Sequence, residues 1–317
     1  MPLKLVFVKI FVLLIFIIVC WPVTTQAYEP IRPIPQQVEY DHKKALLGKR
    51  LFFETLLSKD NSVSCHTCHD FKSGGSEPRP VSIGVYERKG NMNAPTVLNS
   101  YFNFRQFWNG RAADLKEQAS GPLHSMKEMD MTVARVEDVL NSHPEYPKIF
   151  KKVYQTSVIK FDMVVDAIAE FEKALFTPDS RFDQYLRGEI NLSENEKQGY
   201  RLFKTFGCVS CHNGINIGGN SYQYVGAVNP LEEELSGDLY EISGDPFDKN
   251  RFKVPSLRNI ALTAPYLHDG SRENLAEMLK LMAYHNLGFN LSTEEISLLT
   301  SFLNTLTGKT PKILQHD

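Results

Sequence analysis

The chain has 317 residues, 42% of them hydrophobic and 23% charged, with a formal net charge of −2. That composition excludes disorder over most of the length, and the near balance of charge gives no footing for nucleic acid as a partner. The length accommodates two domains of ordinary size.

At the N-terminus, Lys4 and Lys9 lead into twelve uninterrupted apolar residues, Ile10 to Trp21, followed by Pro22 and the polar stretch Thr24, Thr25, Gln26 and Ala27. This is the layout of a secretory signal cut after Ala27, and it predicts a periplasmic protein. An uncleaved anchor is the alternative, although the run falls short of the ~20 residues of a spanning helix. Removing Lys4 and Lys9 from the 35 basic residues leaves 33 against 37 acidic ones, a balance of −4.

Next comes Gly48-Lys49-Arg50-Leu51-Phe52, and the same pattern returns as Gly199-Tyr200-Arg201-Leu202-Phe203. Each string predicts a short amphipathic helix, the second opened by the capping box Ser193 and Glu196. Between them, Phe161, Val164, Val165, Ile168, Phe171 and Leu175 form an apolar stripe at helical spacing that Thr177-Pro178 ends. A boundary between two duplicated halves falls between Pro178 and Ser193. Residues 213–255 are rich in Gly, Asn and Asp and read as a mostly irregular loop region, with Glu232, Glu233 and Glu234 a solvated run within it. A last helix starts at a capping box, Ser292 and Glu295, and aligns Ile296, Leu299, Leu303 and Leu306 before Gly308. The chain is therefore read as mainly α.

The chemistry lies in Cys65-His66-Thr67-Cys68-His69 and Cys208-Val209-Ser210-Cys211-His212. Two thiols three positions apart can each form a thioether to one vinyl group of haem, and the adjacent histidine then reaches the iron; this is the c-type attachment motif. With Cys20 inside the signal, the two motifs use every remaining cysteine. Zinc held by the two cysteine pairs is the main competitor, but 143 residues separate them, far more than in a zinc ribbon. The occupant of each iron's sixth position decides between electron transfer and small-molecule chemistry.

Further strings carry a resemblance. Asn93-Ala94-Pro95-Thr96-Val97-Leu98-Asn99, Phe107-Trp108-Asn109-Gly110-Arg111, Glu117-Gln118-Ala119, Glu128-Met129, Val254-Pro255-Ser256-Leu257-Arg258-Asn259, Pro265-Tyr266-Leu267-His268-Asp269-Gly270 and Leu281-Met282-Ala283 are similar, in order and spacing, to the bacterial di-haem cytochrome c peroxidases. The resemblance spans roughly residues 40 to 310. It implies a mainly α protein of two cytochrome c-like domains, each with one covalently bound haem c. Residues 28–185 would form the N-terminal peroxidatic domain after the signal 1–27. Residues 186–317 would form the C-terminal electron-transfer domain, with a tail able to pack back on the first.

The resemblance also implies roles. His69 is the proximal ligand of the N-terminal haem, bound through Cys65 and Cys68; His212 and Met282 are the axial ligands of the C-terminal haem, bound through Cys208 and Cys211. Tyr284 and His285 are rival ligands near Met282, and a core methionine is the plain reading of Met282 itself. Glu128 acts as general acid/base on the peroxide, Gln118 orients it, and Trp108 lies between the haems. His268 serves haem propionates. Calcium is held at the domain interface by the Asn93 side chain and the Thr263 and Pro265 carbonyls, hard oxygen ligands that suit it. The implied reaction is reduction of hydrogen peroxide with electrons from a small c-type cytochrome or a cupredoxin, in a homodimer. A di-haem oxidase that modifies a partner protein is the alternative, and a plain electron carrier a third reading.

One position departs from the pattern. Where many members of that family place a distal histidine in Ser-Ile-Gly-His, this chain has Ser82-Ile83-Gly84-Val85. Valine cannot ligate iron, which predicts an N-terminal haem that is open without reductive activation.

Overall fold

The computed structural model describes residues 29–232 and 235–315. The signal reading, with its Ala27 cleavage point, and Glu233 and Glu234 lie outside the described residues. The architecture is mainly helical. The first half holds α1 (His42–Phe52), α2 (Cys65–Cys68), α3 (Leu115–His124), α4 (Val133–Ser142), α5 (Tyr146–Tyr154) and α6 (Phe161–Lys173). After α7 (Arg181–Leu186) come α8 (Glu194–Thr205), α9 (Tyr240–Ser243), α10 (Leu275–Met282) and α11 (Thr293–Asn304). The irregular region holds one small antiparallel pair, β1 (Tyr222–Tyr224) and β2 (Arg251–Lys253), with Tyr222 opposite Lys253.

Local chemistry sets the helix ends. Asp41 starts α1 by accepting from the amides of Lys43 and Lys44, while reciprocal capping boxes start α8 at Ser193 and α11 at Ser292. α11 stops at Asn304, short of Gly308, and Leu306 is buried beyond the helix. Likewise α6 ends at Lys173, and Leu175 reaches the core from the following turn.

Each half is built on one helix crossing. α6 lays Val164, Ile168 and Phe171 against Ala45, Leu51 and Phe52 of α1. A Cβ on Gly48 would collide with the Ala167 carbonyl and stand 2.9 Å from Phe171 Cβ. The crossing of α8 and α11 repeats this: a Cβ on Gly199 would collide with the Leu298 carbonyl and stand 2.9 Å from Phe302 Cβ. Glycine at both places lets the backbones approach.

The two hydrophobic cores are separate. One gathers α1, α3, α4, α5 and α6, and the other gathers Phe182, Tyr200, Phe203, Leu299, Phe302 and Leu303. Each fully buried Leu or Phe contributes roughly 1.5–3 kcal/mol. The chain ends cross over, since Ile31 packs in the second core and Ile313 in the first. A buried ion pair, Arg258 Nη1 to Asp183 Oδ1 at 2.7 Å, ties α7 to the second half, and Arg258 also donates to the carbonyls of Arg32 and Ile215.

The repeat extends into the loops. Asn99 and Asn259 have φ of 62° and 60°, and Phe107 and Leu267 have φ of 68° and 71°. Bridges Gln106–Ala112 and Tyr266–Arg272 follow, then the caps Asp114 and Asn274, which accept from the amides of Glu117 and Glu277. Pro122 in α3 therefore stands where Met282 ends α10. The halves meet through a reciprocal pair of bonds: the Asn93 amide donates to the His268 carbonyl and the Lys253 amide to the Trp108 carbonyl, both at 2.8 Å.

Candidate functional site

Ser64 caps α2 through a reciprocal box with Thr67, so one helical turn brings Cys65 and Cys68 to the same side. His69 follows at the helix end, and its Nδ1 lies 3.3 Å from the Gly75 carbonyl. A carbonyl only accepts, so Nδ1 carries the proton and Nε2 keeps its lone pair. Burial holds the His69 imidazolium down to about 4, so the ring is neutral. His212 repeats each feature, with Nδ1 3.3 Å from the Ile217 carbonyl and the same burial holding it at about 4. Both rings are prepared as metal ligands.

Burial pushes the Cys68 thiol up to about 12 and the Cys208 thiol up to about 11, and Cys65 rises further for the same reason. All four thiols are unpaired. Cys65 packs against the first core and Cys208 against the second, so the two pairs do not converge on one four-cysteine centre.

A cavity of about 260 Å³ opens beside His69 and is lined also by Trp108, Arg111, Gln118, Glu128 and Glu172. α3 supplies Gln118, whose carbonyl loses its intrahelical partner because Pro122, four residues on, has no N–H. Glu128 lies in the turn after α3, and its carbonyl accepts from the Val85 amide at 2.8 Å. Burial raises the Glu128 carboxyl above its ordinary value, offset in part by the Arg111 guanidinium and a hydrogen bond from Ser125. Ser82 lines the cavity, whereas Val85 is fully buried in the first core. Trp108 spans toward the other half: its Nε1 donates to the Asn93 carbonyl at 2.9 Å, its ring meets His268 edge-on at 6.4 Å, and His268 stacks on Phe252 at 4.6 Å.

The donor set suits covalently attached haem. Beyond the paired thiols and neutral histidines, Ser100 Oγ and Glu172 Oε2 are buried without hydrogen-bond partners, and both residues line the cavity. Orphaned polar atoms of this kind leave hydrogen-bonding capacity directed at the cavity.

The family described as di-haem cytochrome c peroxidase matches residues 42–191. A cytochrome c551 peroxidase of Nitrosomonas europaea is 45% identical over 90% of this chain and 86% of its own length. The chain belongs to the di-haem cytochrome c peroxidase family. A cytochrome c551 peroxidase of Pseudomonas aeruginosa is 39% identical over 91% of the chain and 87% of its own length. A crystal structure of a MauG-like protein associated with microbial copper homeostasis superposes with a TM-score of 0.76 at 28% identity, covering 91% of this chain and 96% of that one. The chain is thus an enzyme of the cytochrome c peroxidase class.

Within this peroxidase the other predicted residues lie as follows. Met282 is the half-buried last residue of α10, before a π-helical turn over Ala283–Leu287. Tyr284 is 45% exposed, and His285 Nδ1 lies 2.7 Å from the Asn229 carbonyl. Asn93 is buried and its amide nitrogen donates to the carbonyls of Glu77 and Arg79, so the amide oxygen is the ligand it offers to a cation. Leu262 and Thr263 pack close to Gly74 of the first half, and Pro265 lies two residues on. No group of three or more His, Cys, Asp or Glu side chains that could hold a metal occurs among the described residues. The calcium set drawn from the sequence contains no such side chains. No helix among them is long and apolar enough to cross a membrane.

Sequence reasoning missed Arg111, Ser100, Glu172 and the fully buried Glu77, whose carboxylate pairs with Arg79 at 2.7 Å. Arg111 and Ser100 sit inside or beside strings that were read for other residues, and Glu172 interrupts the apolar stripe of α6.

Proposed function

We propose that the chain reduces hydrogen peroxide to water in the periplasm, taking two electrons from a small c-type cytochrome or a cupredoxin. One observation carries this reading. A single cavity gathers a neutral His69, Gln118, Glu128, Trp108 and Pro122, and the resemblance sets the non-ligating Val85 where a distal histidine would stand. Val85 replaces the distal histidine, and Pro122 stands where Met282 does in the other half.

Cys65, Cys68 and His69 would hold the N-terminal haem, and Cys208, Cys211, His212 and Met282 the C-terminal one. Haem c, when bound, would supply iron that exchanges single electrons and reacts with peroxide. Gln118 orients peroxide by hydrogen bonding. Glu128, ionised above its raised pKa, takes the proton from one peroxide oxygen and returns it to the other, so that the departing oxygen leaves as water. Arg111 keeps a share of Glu128 ionised. The contact of Trp108 with His268, and its bond to Asn93, suit passage of electrons between the halves. His268 serves the propionates there, and the oxygen of Asn93 with the carbonyls of Thr263 and Pro265 suits calcium. A homodimer and a cleaved signal belong to the same reading.

The protein-modifying alternative takes a tyrosine as ligand, and the outward position of Tyr284 supports Met282 instead. The test is the visible and electron paramagnetic resonance spectrum of the fully oxidised holoprotein. A high-spin N-terminal signal is expected, converted to low-spin in Val85→His. Two low-spin haems in the native chain would contradict the open site.

A further inference from the structure

Glu172 and Ser100 line the N-terminal cavity, the reaction above leaves both unused, and their Oε2 and Oγ atoms are buried without hydrogen-bond partners. The internal repeat supplies a control. Phe171 meets Gly48 as Phe302 meets Gly199, so Glu172 corresponds to Leu303, a buried residue of the second core. Asn99 corresponds to Asn259 in its left-handed turn, so Ser100 corresponds to Ile260. The fold therefore accepts apolar side chains at both places. Polar ones occur only in the half that contains Glu128.

The surroundings of Glu172 are otherwise apolar. It is 4% exposed on α6, next to Phe171 and Ile168, and α1 presents Ala45, Leu47, Leu51 and Phe52 to that helix. The charged or titratable groups facing the cavity are His69, Arg111, Lys127 and Glu128, and the Cys65 sulfur feels both Glu172 and Glu128. None of them offsets the burial of Glu172, which pushes its carboxyl up to about 8. An acid in that range changes its charge when a neighbouring charge changes by one.

We propose that Glu172 is a redox-linked proton site of the N-terminal haem pocket: one proton from solvent joins its carboxylate when that haem gains one electron from the donor, and leaves when the electron is passed on. This rests on the reading that the pocket carries a haem. The physical reason is charge balance, since an oxidised, more positive centre favours the carboxylate and a reduced one favours the neutral acid in a poorly solvated cavity. Peroxide reduction consumes two electrons and two protons per two waters formed. Glu172 stores one of those protons beside the electron it accompanies.

The experiment is a redox titration of the full holoprotein across roughly pH 5 to 9, with infrared difference spectra of the oxidised and reduced states. The native protein is compared with Glu172→Gln, which hydrogen-bonds but does not titrate, and Glu172→Leu, the residue of the other half. The native N-terminal potential is expected to fall with rising pH, and a protonated-carboxyl band to grow on reduction. Both variants are expected to lose that part of the pH dependence and the band, with the C-terminal haem unmoved. An unchanged pH dependence in Glu172→Gln, or a carboxyl band indifferent to redox state, overturns the proposal. Haem content is measured first: one haem per chain instead of two would overturn the haem reading itself.

Discussion

Glu128 is the residue whose removal tests the chemistry most sharply. It is half-buried and has one cation, Arg111, acting to favour its ionised form. The other buried carboxyl lining its cavity, Glu172, is pushed up to about 8 by burial and has no cation acting on it. Glu128→Gln preserves shape and hydrogen bonding but removes the proton shuttle, so kcat/KM for peroxide should fall about 10²–10⁴-fold, the usual worth of a positioned general base. In free energy that is roughly 2.7–5.4 kcal/mol of transition-state stabilisation. The pH dependence gives an independent sign. Burial raises the carboxyl, so activity is present above that raised pKa and is lost as pH falls through it. Arg111→Met removes the group that lowers the pKa, so the acid limb should move to higher pH, and in Glu128→Gln that limb should vanish. The assay is stopped-flow peroxide consumption by the holoprotein over a pH series. A Glu128→Gln rate within about threefold of native, or an acid limb moved to lower pH by Arg111→Met, would refute the assignment.

Three further outcomes follow from the fold. Arg258→Met leaves Asp183 buried without its cation and should cost about 3–5 kcal/mol in denaturant unfolding. Gly48→Ala forces a methyl group into the Ala167 carbonyl at the α1–α6 crossing, and Gly199→Ala does the same at Leu298; each should destabilise its half by about 1–3 kcal/mol. Replacing Cys65 and Cys68 by alanine should lower haem content from two per chain to one and abolish peroxide turnover. The low-spin spectrum of the C-terminal haem should survive.

Much of this was legible in the sequence because it depends on local chemistry. The capping boxes at Ser193 and Ser292, the apolar stripe from Phe161 to Phe171 and the repeated glycine before each attachment motif all take the predicted form. Glu128 and Gln118, far from His69 in sequence, were placed by resemblance, and the fold brings all three to one cavity. The rest depends on long-range packing that spacing does not encode. Glu172 reads as a lone interruption of an apolar stripe until the fold buries it beside the His69 cavity, and the equivalence of Pro122 with Met282 emerges only when the turns at Asn99 and Asn259 are superposed. Arg111 gains its meaning from Glu128, seventeen residues away in sequence.

The central claim is an N-terminal site that is open at rest. The most direct measurement is stopped-flow mixing of the fully oxidised, two-haem protein with hydrogen peroxide, with and without a reduced c-type cytochrome, while the visible spectrum is recorded. The account predicts immediate reaction and donor oxidation with no prior reduction of the enzyme. A protein inert to peroxide until its C-terminal haem is reduced would contradict it.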